Sequence, residues 1–343
     1  MPETMKAAVL EEFRKPLVIK EVPYPKPGRG EVVIKILASG LCASDLHLQD
    51  GRIPSAHVPY TPGHEMVGEI YELGEGVVLP LGKRVLGFID TTCGTCRLCT
   101  SGHANLCLSL KRFGFELDGS HAEYCKLPAA NVVPISDNIP VEQAAVIPDA
   151  VSCMYHAIRN KGQVRAGDKV LILGIGGLGL QGVQILKHFG AEVYVTSRQD
   201  AKLDVAKQLG ADVCINTKTQ NLEEEIRKAT GGEMCDVILD NIGISDTIEL
   251  SLNLLRPAGK VIVVGYAEDT FTAVYQHVML KEKEIIGVRS SNLHDLKKAI
   301  KMVEKGIVTP YIYKTYKFDQ INEALTELRE GGNLGRTVIV MDH

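Results

Sequence analysis

The pattern of apolar and polar residues changes near residue 150. Before it, short apolar or alternating runs are separated by turn-forming Gly and Pro residues, which predicts a compact and mostly antiparallel β domain. The predicted strands of this part include residues 6–10, 17–21, 31–38, 67–73 and 84–88.

After residue 150, apolar strand patterns alternate with helical patterns, which predicts a parallel, doubly wound α/β sheet. The predicted strands are residues 169–173, 192–196, 213–215, 237–240, 260–264 and 284–288, and two clear helices cover residues 178–189 and 200–209. A helix at residues 319–330 and a closing strand at 336–341 fit either domain.

Chain length indicates two domains, because 343 residues exceed the size at which one hydrophobic core keeps growing. We place the first domain at residues 1–150, completed by residues 306–343, and the second at residues 151–305.

Composition excludes several kinds of partner. A net charge of −4 provides no basic surface for nucleic acid or for an anionic membrane. The N-terminal residues contain no apolar signal-peptide core, so the nine cysteines are expected to be reduced and metal-binding in the cytoplasm.

A dinucleotide-binding motif follows the predicted strand at 169–173. The segment Gly174-Ile175-Gly176-Gly177-Leu178-Gly179 satisfies G-x-G-x-x-G between a strand and a helix. The first glycine makes the turn, the second admits the pyrophosphate, and the third packs the helix on the strand. The start of the helix offers free N–H groups to the phosphates.

The end of the second strand of this domain indicates which dinucleotide binds. An acid at this position would hold the ribose hydroxyls of NAD. Here the strand ends in Thr196-Ser197-Arg198, and the next acid is Asp200. Ser197 and Arg198 can bind a 2′-phosphate, so NADP is favoured over NAD.

Four cysteines form a tight group at positions 93, 96, 99 and 107. The spacing C-x2-C-x2-C-x7-C supplies four thiolates within fifteen residues, enough to close a tetrahedral zinc shell. Cys93, Cys96, Cys99 and Cys107 are therefore predicted to hold a structural zinc.

Cys42 and His64 are predicted to belong to a second zinc site. They supply only two ligands and need a third, and a zinc ion with three protein ligands keeps its fourth position open. Asp149 and Cys153 lie four residues apart on one face of a helix predicted to start near Pro148. Either of them could reach the metal.

Five motifs together resemble the zinc-dependent medium-chain alcohol dehydrogenases. They are Gly40-x-Cys42-x-Ser44-Asp45-x-x-His47, Gly63-His64-Glu65, the four-cysteine group, the Gly174–Gly179 loop and the terminal Gly335-Arg336-Thr-Val-Ile-Val. The resemblance implies a GroES-like catalytic domain, a Rossmann domain and two zinc ions per chain. It favours Asp149 over Cys153 as the third ligand of the catalytic zinc.

The resemblance also implies a reaction, the reversible transfer of hydride between an alcohol and NADP(H) through a zinc-bound alkoxide. Ser44 and His47 would relay the proton to solvent, and Glu65 would orient the site or ligate the metal transiently. Arg336 would contact the cofactor pyrophosphate.

Other readings of the sequence stay open. A polyol or activated cyclic-alcohol dehydrogenase that uses NAD(H) has the same motifs, and a non-catalytic NADPH-binding protein is an alternative of another class. The expected partners are a small alcohol, aldehyde or ketone. The resemblance implies a homodimer or homotetramer.

Overall fold

The computed structural model describes residues 2–342. Met1 and His343, which the predicted domain bounds include, lie outside the described residues. The strands are β1 Thr4–Val9, β2 Val18–Pro23, β3 Glu31–Leu41, β4 Glu65–Leu73, β5 Arg84–Gly87, β6 Asp90–Thr91, β7 Lys111–Arg112, β8 Tyr124–Pro128, β9 Val132–Pro134, β10 Lys169–Leu173, β11 Glu192–Ser197, β12 Val213–Asn216, β13 Cys235–Asp240, β14 Leu255–Val263, β15 Glu284–Gly287, β16 Ile312–Lys317 and β17 Arg336–Val340.

The α-helices are α1 Ala43–Gln49, α2 Arg97–Thr100, α3 Val141–Ala145, α4 Ser152–Tyr155, α5 Gly179–His188, α6 Asp200–Gln208, α7 Leu222–Ala229, α8 Ser245–Leu254, α9 Tyr275–Met279, α10 Leu293–Glu304 and α11 Ile321–Glu330. Two π-helical turns, Ile147–Val151 and His156–Lys161, flank α4. Within residues 2–342, no helix combines the length and apolarity that crossing a bilayer requires.

The chain divides into two compact units. One runs up to Ala150 and takes in Ser291–Glu304 and the segment from Pro310 onward, and the other comprises Val151–Ser290 and Lys305–Thr309. Helix α10 therefore groups with the first unit, whereas the sequence-based boundary put it in the second. Strand–helix alternation continues through α10. The sequence of α10 therefore does not indicate which of the two hydrophobic cores its apolar face packs against.

The first unit is built on a seven-stranded sheet in the order β16-β17-β3-β4-β5-β9, with β8 also paired to β3. Its pairs are antiparallel except β16 with β17. This confirms the predicted β-rich, mostly antiparallel first domain. The long strand β3 is apolar and largely buried, and it pairs with β17, β4 and β8. Its C-terminal end leads directly to Cys42.

The second unit contains a six-stranded sheet in the order β12-β11-β10-β13-β14-β15, and all of its pairs are parallel. This confirms the predicted doubly wound α/β sheet. The strand order reverses between β10 and β13, and ligands of such sheets bind beyond the carboxyl ends of the strands at that point. The glycine-rich loop follows β10 there.

Candidate metal centre and dinucleotide site

Two paired strands of the first unit bring Cys42 and His64 to one place. In the antiparallel pairing of β3 with β4, Gly40 lies opposite Glu65. Cys42 follows the last residue of β3 and His64 directly precedes β4, so both side chains leave the sheet at the same end. Both residues are buried.

Asp45 holds the loop at Cys42. The N–H of Cys42 donates to Oδ2 of Asp45 at 2.8 Å where α1 begins. The Oγ of Ser44 lies 3.5 Å from the Sγ of Cys42, and His47 lies in the last turn of the same helix. The two residues predicted for proton relay therefore follow Cys42 on one short helix.

Gly63 makes the turn that presents His64. Its φ is +99°, and a Cβ at this position would lie 2.7 Å from the backbone nitrogen of His121. The N–H groups of Ser120 and His121 donate to the carbonyl oxygens of Gly63 and Pro62 at 2.9 and 3.0 Å. Only glycine therefore fits here without moving the segment that braces the turn.

Asp149 joins this group. One ligand atom from each of Cys42, His64, Glu65 and Asp149 lies within 4.8 Å of the others. The group that the structure assembles from residues 2–342 does not include Cys153. The side chain at position 149 is thus placed to act as a ligand together with Cys42 and His64.

The helix that carries Asp149 differs from the prediction. Helical structure begins with α3 at Val141 rather than at Pro148, and Asp149 lies in the π-helical turn Ile147–Val151. Pro148 has no N–H to donate, so it interrupts regular α-helical bonding within a longer helical segment. Such π-helical turns are frequent at functional sites.

Arg336, the first residue of β17, is buried and pairs with both carboxylates of the group. Its Nε donates to Oε2 of Glu65 at 3.1 Å, and its Nη2 donates to Oε1 of Glu65 and, at 2.5 Å, to Oδ2 of Asp149. Sequence reasoning missed this pairing. The predicted contact of Arg336 with the cofactor pyrophosphate stays a prediction, and in this structure the guanidinium is engaged by Glu65 and Asp149.

The two carboxyl groups have opposite pKa shifts. Burial raises the pKa of Glu65 well above its usual range, and the Arg336 guanidinium offsets only part of that effect. Burial acts in the same direction on Asp149, but Arg336 and His64 outweigh it and lower its pKa. Asp149 is therefore the more readily ionised of the two.

The donor set fits a zinc ion. A thiolate sulfur, an imidazole nitrogen and carboxylate oxygens are the ligands that zinc takes in proteins. Because Nδ1 of His64 faces Asp45 at 3.6 Å, its Nε2 is left for a metal. Cys42, His64 and Asp149 could supply three ligands, and Glu65 is placed as a further or alternate ligand.

The four-cysteine group also fits zinc. Sulfur atoms bound to one tetrahedral zinc lie about 3.8 Å apart, given a Zn–S bond of about 2.3 Å. Cys93 Sγ lies 3.5 Å from Cys107 Sγ and 4.0 Å from Cys99 Sγ, and Cys96 Sγ lies 3.5 Å from Cys99 Sγ. Hydrogen bonds from backbone N–H groups lower the pKa of Cys93 to about 6, which favours its thiolate.

The glycines of the loop after β10 differ in backbone conformation and in the space around them. Gly174 has a φ of +86°, and a Cβ at Gly179 would lie 2.7 Å from the Gly174 carbonyl oxygen. Around Gly176 a Cβ would meet nothing within 4 Å, so this position is open. Gly177 and Leu178 complete the turn before α5 begins at Gly179.

The end of β11 is rich in positive charge. Burial and the nearby Arg198 guanidinium lower the pKa of Lys202, so two cationic side chains share this region. Asp200 accepts a hydrogen bond from Nδ2 of Asn216 at 2.6 Å, and Ser197 Oγ accepts one from the N–H of Gln199. Lys202 was missed because its position two residues after Asp200 has no motif of its own.

Comparison with known proteins agrees with this geometry. Residues 28–137 match the family model of the alcohol dehydrogenase GroES-like domain, and residues 177–305 match that of the zinc-binding dehydrogenases. An alcohol dehydrogenase from Geobacillus stearothermophilus is 36% identical over 342 residues, which cover 98% of this chain and 100% of that protein. The chain belongs to the zinc-dependent medium-chain alcohol dehydrogenase family.

Solved structures of this family have the same fold. Acetophenone reductase from Geotrichum candidum NBRC 4597, in complex with NAD, is 31% identical with a TM-score of 0.89, and the match covers 99% of this chain and 98% of that one. A structure from Sinorhizobium meliloti 1021 bound to NADP is 26% identical with a TM-score of 0.92 and covers 99% and 100% of the two chains. Since relatives bind either dinucleotide, family membership alone does not choose between them.

Proposed function

We propose that this chain is a zinc-dependent alcohol dehydrogenase that transfers hydride reversibly between a primary or secondary alcohol and NADP(H). The observation that carries the proposal is the group of Cys42, His64, Glu65 and Asp149, whose ligand atoms lie within 4.8 Å of one another. Ser44 lies beside this group, which a purely structural metal site does not require.

Each residue of the site has its own proposed role in the reaction. Zinc, when bound, supplies a Lewis acid that polarises the substrate oxygen and lowers the pKa of the alcohol. Cys42, His64 and Asp149 would hold the ion, and one thiolate with one carboxylate neutralises its charge. The hydroxyl of Ser44 would take the substrate proton, and His47 would pass it to solvent, since an imidazole titrates near neutral pH.

The positive charge of Arg336 offsets negative charge on the carboxylates of the site. The guanidinium pairs with Glu65 and Asp149, and it offsets part of the effect by which burial raises the pKa of Glu65. Glu65 would therefore become a metal ligand only when Arg336 releases it. We assign to Glu65 a supporting role in orienting the site or exchanging its ligands.

The charges at the end of β11 support NADP(H) as the cofactor. Arg198 and Lys202 lie close together, as the effect of Arg198 on the pKa of Lys202 requires. The carboxylate of Asp200 is engaged by Asn216. A 2′-phosphate would meet two cations and the hydroxyl of Ser197 there, with no acid at the strand end to repel it.

Initial rates with primary, secondary, cyclic and polyol alcohols, measured with NADP⁺ and NAD⁺ in parallel, test the proposal. We expect turnover of simple primary or secondary alcohols and a higher kcat/KM for NADP⁺. Turnover mainly with NAD⁺ would reject the cofactor assignment, and turnover confined to polyols or cyclic alcohols would reject the substrate assignment. No turnover by the zinc-replete protein, with intact NADPH binding, would favour a non-catalytic binding protein.

Replacing Arg198 with alanine is expected to raise KM for NADP⁺ about tenfold or more, because hydrogen bonds to charged groups contribute roughly 1.5–3 kcal/mol each. KM for NAD⁺ should stay within about twofold, since NAD⁺ has no 2′-phosphate. Arg227→Ala is the matched control, because Arg227 pairs with Glu223 on α7 of the same unit. An equal loss with both cofactors would contradict a role for Arg198 at the 2′-phosphate.

The proposal includes the oligomeric state of the family, a homodimer or homotetramer. Large exposed apolar side chains of the second unit support it, because exposed apolar surface often marks an interface. They include Tyr266, Phe271, Val274, Tyr275 and Leu280. A sedimentation mass equal to one chain would contradict it.

A further inference from the structure

We propose that His121 is a positioning residue for the zinc ligand His64 and acts on it through the carboxylate of Asp45. The inference rests on the proposed function of the Cys42 and His64 site. His121 directly precedes Ala122, in the segment that braces the Gly63 turn, and its side chain is completely buried. The sequence around it contains no recognisable motif.

One carboxylate oxygen faces two imidazole rings. Oδ1 of Asp45 lies 3.6 Å from Nδ1 of His64 and 3.6 Å from Nε2 of His121. Within residues 2–342, none of these three buried atoms has a hydrogen-bond partner inside the usual distance limit. Because unpaired buried polar atoms are costly, Oδ1 of Asp45 is assigned as the shared acceptor of the two ring nitrogens that it faces.

The contact at Nδ1, the ring nitrogen that points away from Asp45, defines the tautomer of His121. Nδ1 of His121 lies 3.0 Å from Oγ of Ser39, and that oxygen lies 2.7 Å from Oγ of Ser120. When Ser120 donates to Ser39 and Ser39 donates to Nδ1, the proton of the neutral ring is on Nε2. Nε2 then donates toward Asp45, in the direction that the carboxylate requires.

Asp45 thereby contacts the two proposed zinc ligands that lie at the ends of β3 and β4, Cys42 and His64. Its Oδ2 accepts the N–H of Cys42 at 2.8 Å, and its Oδ1 faces both imidazole rings at 3.6 Å. Without His121, the carboxylate would lose its second ring partner and could rotate away from His64. Groups that orient metal ligands commonly change metal affinity by about 10- to 100-fold when they are replaced.

The test compares zinc release from wild type, His121→Phe and His121→Gln, measured with a chromogenic chelator. Phenylalanine fills the space but has no nitrogen, so we expect catalytic zinc to leave about 10- to 100-fold faster. Glutamine restores an N–H donor and should recover much of the retention. Zinc held by the four cysteines should leave at the wild-type rate in both variants.

Cobalt substitution provides a second measurement that does not depend on turnover. The thiolate-to-cobalt absorption of the Cys42 site should shift in His121→Phe and return in His121→Gln, because the orientation of the neighbouring imidazole changes. Should His121→Phe fail to fold, Ser39→Ala tests the same network from its other end, and its zinc release should also be faster than wild type.

Unchanged zinc release and an unchanged cobalt spectrum in His121→Phe would overturn the role of His121 and leave the alcohol dehydrogenase proposal standing. Equal losses in His121→Phe and His121→Gln would also overturn it, since they would show a packing effect. A wild-type protein that binds zinc only at the four cysteines would instead reject the proposed function, and the role of His121 with it.

Discussion

Replacing Cys42 with serine is expected to lower kcat/KM for the preferred alcohol by about a thousandfold. A zinc ion held by Cys42 would contribute several kcal/mol to stabilising the charge that develops on the substrate oxygen, and about 1.4 kcal/mol corresponds to a tenfold change in rate. Cys42 is the only sulfur in its four-residue group, so a hydroxyl there weakens a ligand for which zinc has high affinity. The measurements are steady-state rates and zinc content per chain.

Cofactor affinity separates a catalytic defect from a folding defect. The Gly174–Gly179 loop belongs to the second unit, so Cys42→Ser should bind NADPH with near wild-type affinity while zinc content falls by one per chain. Cys214→Ser is the matched control, because the thiol of this half-buried cysteine of β12 donates to the Leu203 carbonyl oxygen and belongs to neither group of metal-binding side chains. Wild-type turnover in Cys42→Ser would refute the metal-dependent mechanism.

Sequence patterns predicted the local parts of this protein well. The parallel sheet of the second unit was confirmed because its strands are continuous apolar runs, as strands buried on both faces must be. The four cysteines and the glycine-rich loop each lie within a short stretch of chain. Their spacing alone therefore indicates which atoms can meet, and the structure brings the cysteine sulfur atoms to 3.5–4.0 Å.

Long-range pairings were not predictable in the same way. Arg336 lies 271 residues from Glu65, and the two meet only because β17 and β4 flank the same strand, β3. His121 reaches Asp45 through the turn at Gly63, which no periodicity reveals. The start of the helix near Pro148 was predicted from a general preference of proline for first turns, and here a π-helical turn inside a longer helical segment accommodates it.

Replacing Cys96 with serine is expected to remove the structural zinc and to lower Tm by about 6–12 °C, which corresponds to roughly 3 kcal/mol at 2–4 °C per kcal/mol. The segment around the four cysteines has little else to hold it. Helix α2 has four residues, none of them buried, and Leu108 is 77% exposed. A metal that closes such a segment replaces the missing apolar core.

Ser101→Ala is the control within the same segment and should keep both zinc ions, because Ser101 Oγ donates to the Leu98 carbonyl oxygen, lies 3.3 Å from Nδ1 of His103 and does not belong to the four-cysteine group. In Cys96→Ser, limited proteolysis should begin between residues 92 and 110, while kcat/KM of the folded fraction changes by less than about tenfold, since no residue of the Cys42 group is altered. Loss of turnover as complete as in Cys42→Ser would contradict a structural role. The same would follow if Cys96→Ser kept both zinc ions, because four sulfur atoms at these distances leave no ligand to spare.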